Sequence, residues 1–326
     1  MRDMLTPGKW RGLKACSSDS YTFSILAFDQ RGNYRIMLPE DATFAQASQI
    51  KAEVVSILAP QVTAVLLDPV YGLDAALAMP GGRGLLMALE KTGYAGSPQE
   101  RRIDFIPGWD VGMIRAMGAS AVKLLVYYHP DAGAITDEID GTIMHVAAEC
   151  RSQDIPLFVE PLSYSINAGV KADSAEFAAD RPRIVRETAY RLSRLGVDVL
   201  KLEFPVNVAH DADESVWRST CEAVSKASSV PWTLLSAGVN FDAYTRQVTV
   251  ACKAGASGFV GGRAIWKEAI PLSPEARATF LNDEGARRVE RLRKIVERDA
   301  RPWTDFYAPP GNSENWHEIY RNEIGR

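Results

Sequence analysis

Lys123, Glu160 and Lys201 are the residues of this chain whose types and spacing offer the most pointed chemistry. In VDVLKLEFP, strand alternation puts Leu200, Leu202 and Phe204 on one face and Val199, Lys201 and Glu203 on the other. If helices cover the leucine face, Lys201 points inward. AVKLLVYY repeats the pattern: Val122, Leu124 and Val126 share one face, Lys123 and Leu125 the other. In PLFVEPL, Glu160 ends an apolar run at the same level, directly before Pro161. A lysine is almost never fully buried without a partner. Desolvation and a neighbouring cation both disfavour the ammonium form, so the two lysines should leave a free amine able to attack a carbonyl. A nearby carboxylate can relay protons through carbinolamine formation, dehydration and C–C cleavage. The set reads as Schiff-base chemistry, with a buried Lys–Glu ion pair that merely fixes geometry as the competing reading.

Further candidates stand at the ends of other apolar runs. LLSAGV supplies Ser236, Ala237 and Gly238, and FVGGRA supplies Gly261, Gly262 and Arg263. Small residues there let backbone N–H groups approach phosphate oxygens, and an arginine adds a charge-assisted contact. Tight turns that need glycine would look the same. Asp29-Gln30-Arg31-Gly32 follows the first run. Asp29 either orients a substrate hydroxyl or the nucleophilic amine, or caps a helix. Gly81-Gly82-Arg83-Gly84 precedes a run and reads as a flexible loop. His129, His145, His210 and His317 show neither H-x-H nor H-E-x-x-H spacing, so neither a metal nor another cofactor is expected.

The elements that must position these residues are eight short apolar runs: Ser24–Phe28, Ala64–Leu67, Leu85–Leu89, Ala121–Tyr127, Pro156–Val159, Val199–Phe204, Trp232–Leu235 and Ser257–Val260. Between them lie stretches with helical spacing, among them Phe44–Leu58, Thr142–Ser152, Arg183–Leu195 and Asp242–Lys253. Near-continuous apolar strands alternating with helices imply a parallel sheet buried on both faces, and eight units match a closed (β/α)8 barrel. A doubly wound sheet is the alternative, though no run is followed by G-x-G-x-x-G. Asp29, Asp68, Lys123, Glu160, Lys201 and Ser236 each sit within or just after a run, with one wide gap between Asp68 and Lys123 where the third run falls. The chain reads as one domain over 1–326, with the barrel over about 20–270 and an extension over about 271–326. In that extension Pro274–Arg298 is helical, and Trp303–Tyr320 reads as irregular surface wrapping.

Composition bounds the partners. Of 326 residues, 46% are hydrophobic and 24% charged, which suits a folded chain with a substantial core. A net charge of -4 excludes nucleic acid as the main partner, whereas small phosphorylated metabolites need only local cations and N–H groups. Cys16, Cys150, Cys221 and Cys252 lie far apart and read as reduced thiols of a cytoplasmic protein. No signal sequence or membrane span is expected, and a homo-oligomer is left open.

These stretches resemble the class I tagatose-1,6-bisphosphate aldolases of the LacD type. The matching segments are ILAFDQRG, LLDPVYGL, ALEKTGY, AVKLLVYY, DIPLFVEPLSY, GVDVLKLEFPVN, LSAGV and GASGFVGGRAIW, in the family's order over about residues 24–268. The resemblance implies a metal-free TIM barrel in which Lys201 forms the Schiff base, Lys123 is its neighbouring cation and Glu160 is the acid/base. It also implies substrate contacts by Asp29 and Gln30, and phosphate contacts by Ser236, Gly238, Gly262 and Arg263. The implied substrate is a phosphorylated ketose, cleaved to dihydroxyacetone phosphate and glyceraldehyde 3-phosphate. The sulfofructose-1-phosphate aldolases look similar through AGASGF and GRA-x-W, here Ala254–Phe259 and Gly262–Trp266. Two other classes fit the same barrel: a non-catalytic sugar-phosphate sensor and a phosphosugar isomerase.

Overall fold

The computed structural model describes residues 2–325. Eight parallel strands close into a barrel in chain order: β1 (Phe23–Phe28), β2 (Ala64–Leu67), β3 (Gly84–Ala88), β4 (Ala121–Tyr128), β5 (Leu157–Ser163), β6 (Val199–Leu202), β7 (Trp232–Leu235) and β8 (Gly258–Gly261). Their backbones are buried on both sides, which is why the runs are apolar without a break. Helices such as Phe44–Leu58, Ala134–Ser152, Ala175–Leu192 and Phe241–Lys253 cover the outside. The first of these begins with a capping box, in which Thr43 accepts from the Gln46 N–H and Gln46 reaches back to the Thr43 N–H.

Two runs end more than one residue from expectation. β5 continues through Pro161 to Ser163, because its pairing with β4 runs unbroken from Val122↔Leu157 to Tyr128↔Ser163. β6 stops at Leu202 instead of Phe204. Between β5 and β6 only Phe158↔Val199 and Val159↔Leu200 pair, and higher up the Ser163 N–H donates to the Glu203 carboxylate at 2.7 Å.

The bottom of the barrel is closed by both ends of the chain. Helix Pro7–Ala15 lies against it so tightly that a Cβ on Gly12 would come 2.4 Å from the Ser120 carbonyl oxygen. The Lys9 ammonium pairs with Asp198 at 2.8 Å, and Asp198 also accepts from the Leu157 N–H at 2.8 Å. Asp3–Met4 pairs in parallel with Tyr307–Ala308, and the Tyr307 hydroxyl donates to the Asp198 carbonyl at 2.7 Å. The tail is therefore more than surface wrapping. Trp303 is fully buried edge-on to Trp10 and Tyr21, and the chain then forms helix Trp316–Glu323. The expected helix over Pro274–Arg298 is present as Pro274–Phe280 and Ala286–Asp299, joined by a π turn at Leu281–Gly285. Among the described residues no helix is long and apolar enough to cross a membrane.

The barrel seam gives a stability test. Gly258 has φ +138°, and a Cβ there would lie 1.9 Å from the Phe23 carbonyl oxygen, on the strand that closes the barrel. Gly258→Ala should cost about 2 kcal/mol or more through strain and overpacking. Equilibrium denaturant unfolding measures it; a loss below about 0.5 kcal/mol, the size of an ordinary surface substitution, would mean the seam has room to yield.

Candidate active site

A cavity of ≈ 270 Å³ opens at the C-terminal ends of the strands. Its floor is made by alternate residues of the middle strands: Lys123, Leu125 and Tyr127 from β4, Glu160 and Leu162 from β5, Lys201 and, just past the end of β6, Glu203. The leucines of the opposite parity pack outward, as the period-two pattern requires.

Lys123 stands at the centre. Its ammonium lies 2.8 Å from Asp29 Oδ2, 2.8 Å from Glu90 Oε1 and 3.1 Å from Glu160 Oε2. Burial by itself would discharge this lysine, but the three carboxylates outweigh it and hold its pKa well above the ordinary lysine value. Burial likewise opposes ionisation of Asp29, and here Lys123, Lys201 and Arg31 prevail and hold the carboxyl well below its usual range. This corrects one expectation. The two lysines do not simply repel each other toward neutrality, because Glu160 Oε2 lies between them, 2.7 Å from Lys201 Nζ and 3.1 Å from Lys123 Nζ.

Asp29 does not cap a helix. The short helix Gly32–Arg35 has Arg31 at its N-cap and no side-chain cap. Asp29 Oδ1, Gln30 Oε1 and Arg31 Nε are buried without hydrogen-bond partners, although all three residues line the cavity. Leaving such atoms unmet costs about 1–3 kcal/mol each, so their placement suits contact with a bound molecule.

On the far wall Ser236, Ala237, Gly262 and Arg263 line the cavity, while Gly238 is set back beneath Arg263. Gly238 has φ +77°, and a Cβ would come 3.0 Å from the guanidinium carbon of Arg263. Glycine is needed there for both conformation and closeness. Ala237 also takes a left-handed conformation, φ 47°. The Gly262 N–H donates to Ser236 Oγ at 3.3 Å, tying the two loops together.

Sequence reasoning gave Glu90 no role, and it placed Arg31 beside Asp29 without assigning it a partner. Glu90 accepts from the Leu125 N–H at 2.9 Å, and Arg31 donates to its main-chain oxygen at 2.8 Å and its carboxylate at 3.3 Å. The signal was the wide gap in the series of polar markers along the runs, which is where Glu90 belongs. Also missed was Lys51, fully buried and paired with Asp68, whose ammonium donates to the main-chain oxygens of Phe28 at 2.6 Å and Gln30 at 3.2 Å. It holds the turn that carries Asp29. Glu203 is fixed by Ser163 and by Arg181 at 3.1 Å. Among the described residues no group of three or more His, Cys, Asp or Glu side chains is arranged to hold a metal. All four cysteines are free and buried, and burial pushes the Cys16 thiol up to about 12, which leaves it unreactive.

Removing Lys123 tests the charge arrangement. Lys123→Met removes the only ion-pair partner of Asp29 among the described residues, leaves Glu90 to Arg31 and Glu160 to Lys201, and should cost about 3–5 kcal/mol near neutral pH. The depressed folded pKa of Asp29 means that its stabilisation is present above the unfolded value near ~3.9 and is lost as pH falls through the folded value. Lys123 contributes below its unfolded value near ~10.4 and loses its effect only above its raised folded value. The wild-type advantage should therefore be largest between about pH 5 and 9 and shrink below about pH 4. Unfolding curves across that range measure it, and a gap that stays constant into acid would contradict ionisation of these carboxylates against Lys123.

Residues 23–268 match the family model described as DeoC/LacD family aldolase. The chain is 34% identical over 323 residues to tagatose 1,6-diphosphate aldolase 2 of Streptococcus pyogenes serotype M3, covering 92% of this chain and 98% of that protein. To the tagatose 1,6-diphosphate aldolase of Lactococcus lactis subsp. lactis it is 35% identical over 324 residues, with 93% and 99% covered. Among solved structures, an archaeal fructose 1,6-bisphosphate aldolase superposes with a TM-score of 0.59 at 18% identity, covering 87% of this chain and 97% of its own. Fructose-bisphosphate aldolase of Plasmodium falciparum does so with 0.63 at 12%, covering 92% and 98%, and these two distant likenesses bear on the barrel fold alone. With a family match spanning the whole barrel and relatives a third identical along nearly their full length, the chain belongs to the DeoC/LacD aldolase family.

Proposed function

We propose that this enzyme is a class I aldolase that cleaves a ketohexose 1,6-bisphosphate such as tagatose 1,6-bisphosphate to dihydroxyacetone phosphate and glyceraldehyde 3-phosphate, in the cytoplasm and without a metal. The observation that carries the reading is a buried Lys201 on the cavity floor with the Glu160 carboxylate 2.7 Å from its amine. The names of the bacterial relatives support the substrate class.

The uncharged Lys201 amine attacks C2 of the ketose. The C2 oxygen is protonated and leaves as water, with Glu160 close enough to Lys201 to pass protons between nitrogen and oxygen. The resulting iminium is an electron sink. A carboxylate takes the proton of the C4 hydroxyl, the C3–C4 pair moves into the iminium, and glyceraldehyde 3-phosphate departs, leaving an enamine. Protonation at C3 and hydrolysis of the iminium release dihydroxyacetone phosphate and restore the amine. Lys123 keeps its proton throughout, because its three carboxylates hold it charged. Its role is to fix Asp29 and Glu160, with Asp29 Oδ1 and Gln30 Oε1 left to meet substrate hydroxyls. Ser236, Gly262 and Arg263, with Gly238 supporting Arg263, take the C1 phosphate.

Lys201→Ala should abolish cleavage, and borohydride with substrate should leave an irreversible mass gain at Lys201. Reversible binding without an adduct favours a sensor; turnover without C–C cleavage favours an isomerase. Because the iminium supplies the electron sink, activity should survive EDTA; loss on chelation with recovery on added Zn²⁺ would defeat the amine mechanism. Arg263→Ala should weaken phosphorylated substrate by about 1.5–3 kcal/mol, roughly one to two decades in kcat/KM. An equal loss with an unphosphorylated ketose would make Arg263 structural.

A further inference from the structure

We propose that the ribbon following β3 forms a second anion site on the cavity rim, where Lys91, Thr92, Gly93 and Arg101 receive the C6 phosphate or sulfonate of the substrate. The proposal rests on the aldolase reading and gives the far end of that substrate a place. In a closed barrel of eight strands in chain order, β3 and β7 stand half a turn apart. Lys91, Thr92 and Gly93 therefore line the cavity on the wall opposite Ser236. A ketose held by one terminal phosphate at the Arg263 wall, with C2 at Lys201, extends its other end toward this rim.

The floor cannot neutralise a second anion. Lys123 is surrounded by Asp29, Glu90 and Glu160, and Arg31 is paired with Glu90. New positive charge has to come from above, and the ribbon carries it. Its two strands are bridged at Glu90↔Phe105 and Ala95↔Arg102, so it is a built element. Gly93 has φ +85° with open space around it. The Thr92 hydroxyl and the Thr92 and Gly93 N–H groups have no hydrogen-bond partner among the described residues. Adjacent free N–H groups at a left-handed turn are suited to an oxyanion.

The same ribbon carries two cations. Lys91 is 56% exposed, with Asp104 at 2.8 Å, a partner an arriving phosphate must share or displace. The Arg101 guanidinium lies 4.6, 4.7 and 5.1 Å from the ring centroids of Tyr94, Tyr127 and Tyr164, and Tyr127 itself lines the cavity. It forms no ion pair among the described residues, its only polar contact being the Pro98 carbonyl at 2.9 Å. Three rings thus hold an uncompensated cation in a fixed place, which lowers the ordering cost of binding.

The test compares kcat/KM for tagatose 1,6-bisphosphate with that for the corresponding 1-phosphate. In Lys91→Met and Arg101→Met that ratio should fall roughly 10- to 100-fold, the worth of one charge-assisted contact. Thr92→Glu, an exposed change that puts a negative charge on the rim, should lower it as well. Arg263→Ala should depress both substrates together. A ratio that holds in all three ribbon variants, while the wild type still cleaves and is trapped at Lys201, overturns the second site alone. A wild type that is neither active nor trapped overturns the aldolase reading beneath it. Running 6-deoxy-6-sulfofructose 1-phosphate alongside identifies the native terminal group as the one whose preference over its 1-phosphate counterpart falls further in the ribbon variants.

Discussion

Lys123 is an ammonium buried to 1% exposure inside the barrel, and it is tolerable there only because three strands each bring it an acid. Asp29 comes from the end of β1, Glu90 from beyond β3 and Glu160 from β5. Burying any one of these charges alone would be expensive, so each fixes where the others must lie. The arrangement constrains the chemistry as well. Glu160 Oε2 is shared by Lys123 and Lys201, so the proposed proton carrier is positioned by a group that does not itself turn over.

Such a cluster needs rigid support, and the structure supplies it from outside the cavity. Lys51 reaches from helix Phe44–Leu58 to the main-chain oxygens on either side of Asp29, and Asp68 at the end of β2 balances its charge. Beneath, Trp266 stacks on Phe28 at 3.9 Å and donates to the Ala27 carbonyl, anchoring the β1 end from the β8 side. The chain termini close the opposite end of the barrel, where Lys9 and Asp198 form a second buried pair. Support for the cluster comes from the bottom and sides of the barrel, and the rim is made of the loops that follow the strands.

The barrel was legible because strands buried on both faces leave unbroken apolar runs, and a charge inside such a run has nowhere to go but the interior. Lys123 and Lys201 were readable for that reason. Glu90 was harder to see. It lies two residues past the end of β3, and what makes it central is Arg31, Lys123 and the Leu125 N–H, all distant in sequence. Lys51 sits on a helix whose pattern would suit an ordinary solvated lysine; only packing reveals that its side chain runs under the β1 end. The tail was misread because pairing of Asp3–Met4 with Tyr307–Ala308 depends on the two ends of the chain meeting, which no local pattern encodes.

The distribution of charge separates two tasks. On the floor Asp29, Glu90 and Glu160 face Lys123 and Arg31, so most of the acidic charge is compensated before any substrate arrives. A highly charged ligand is therefore not drawn to the floor by a net field, and its phosphates have to be met by groups that the floor does not use. Arg263 above Gly238 and the cations of the β3 ribbon stand on the rim, away from the central cluster. In the proposed arrangement, phosphate recognition at the rim decides where the sugar lies, apart from the compensated floor. Under that division the proposed nucleophile, Lys201, sits among carboxylates while the charge of the substrate is met elsewhere.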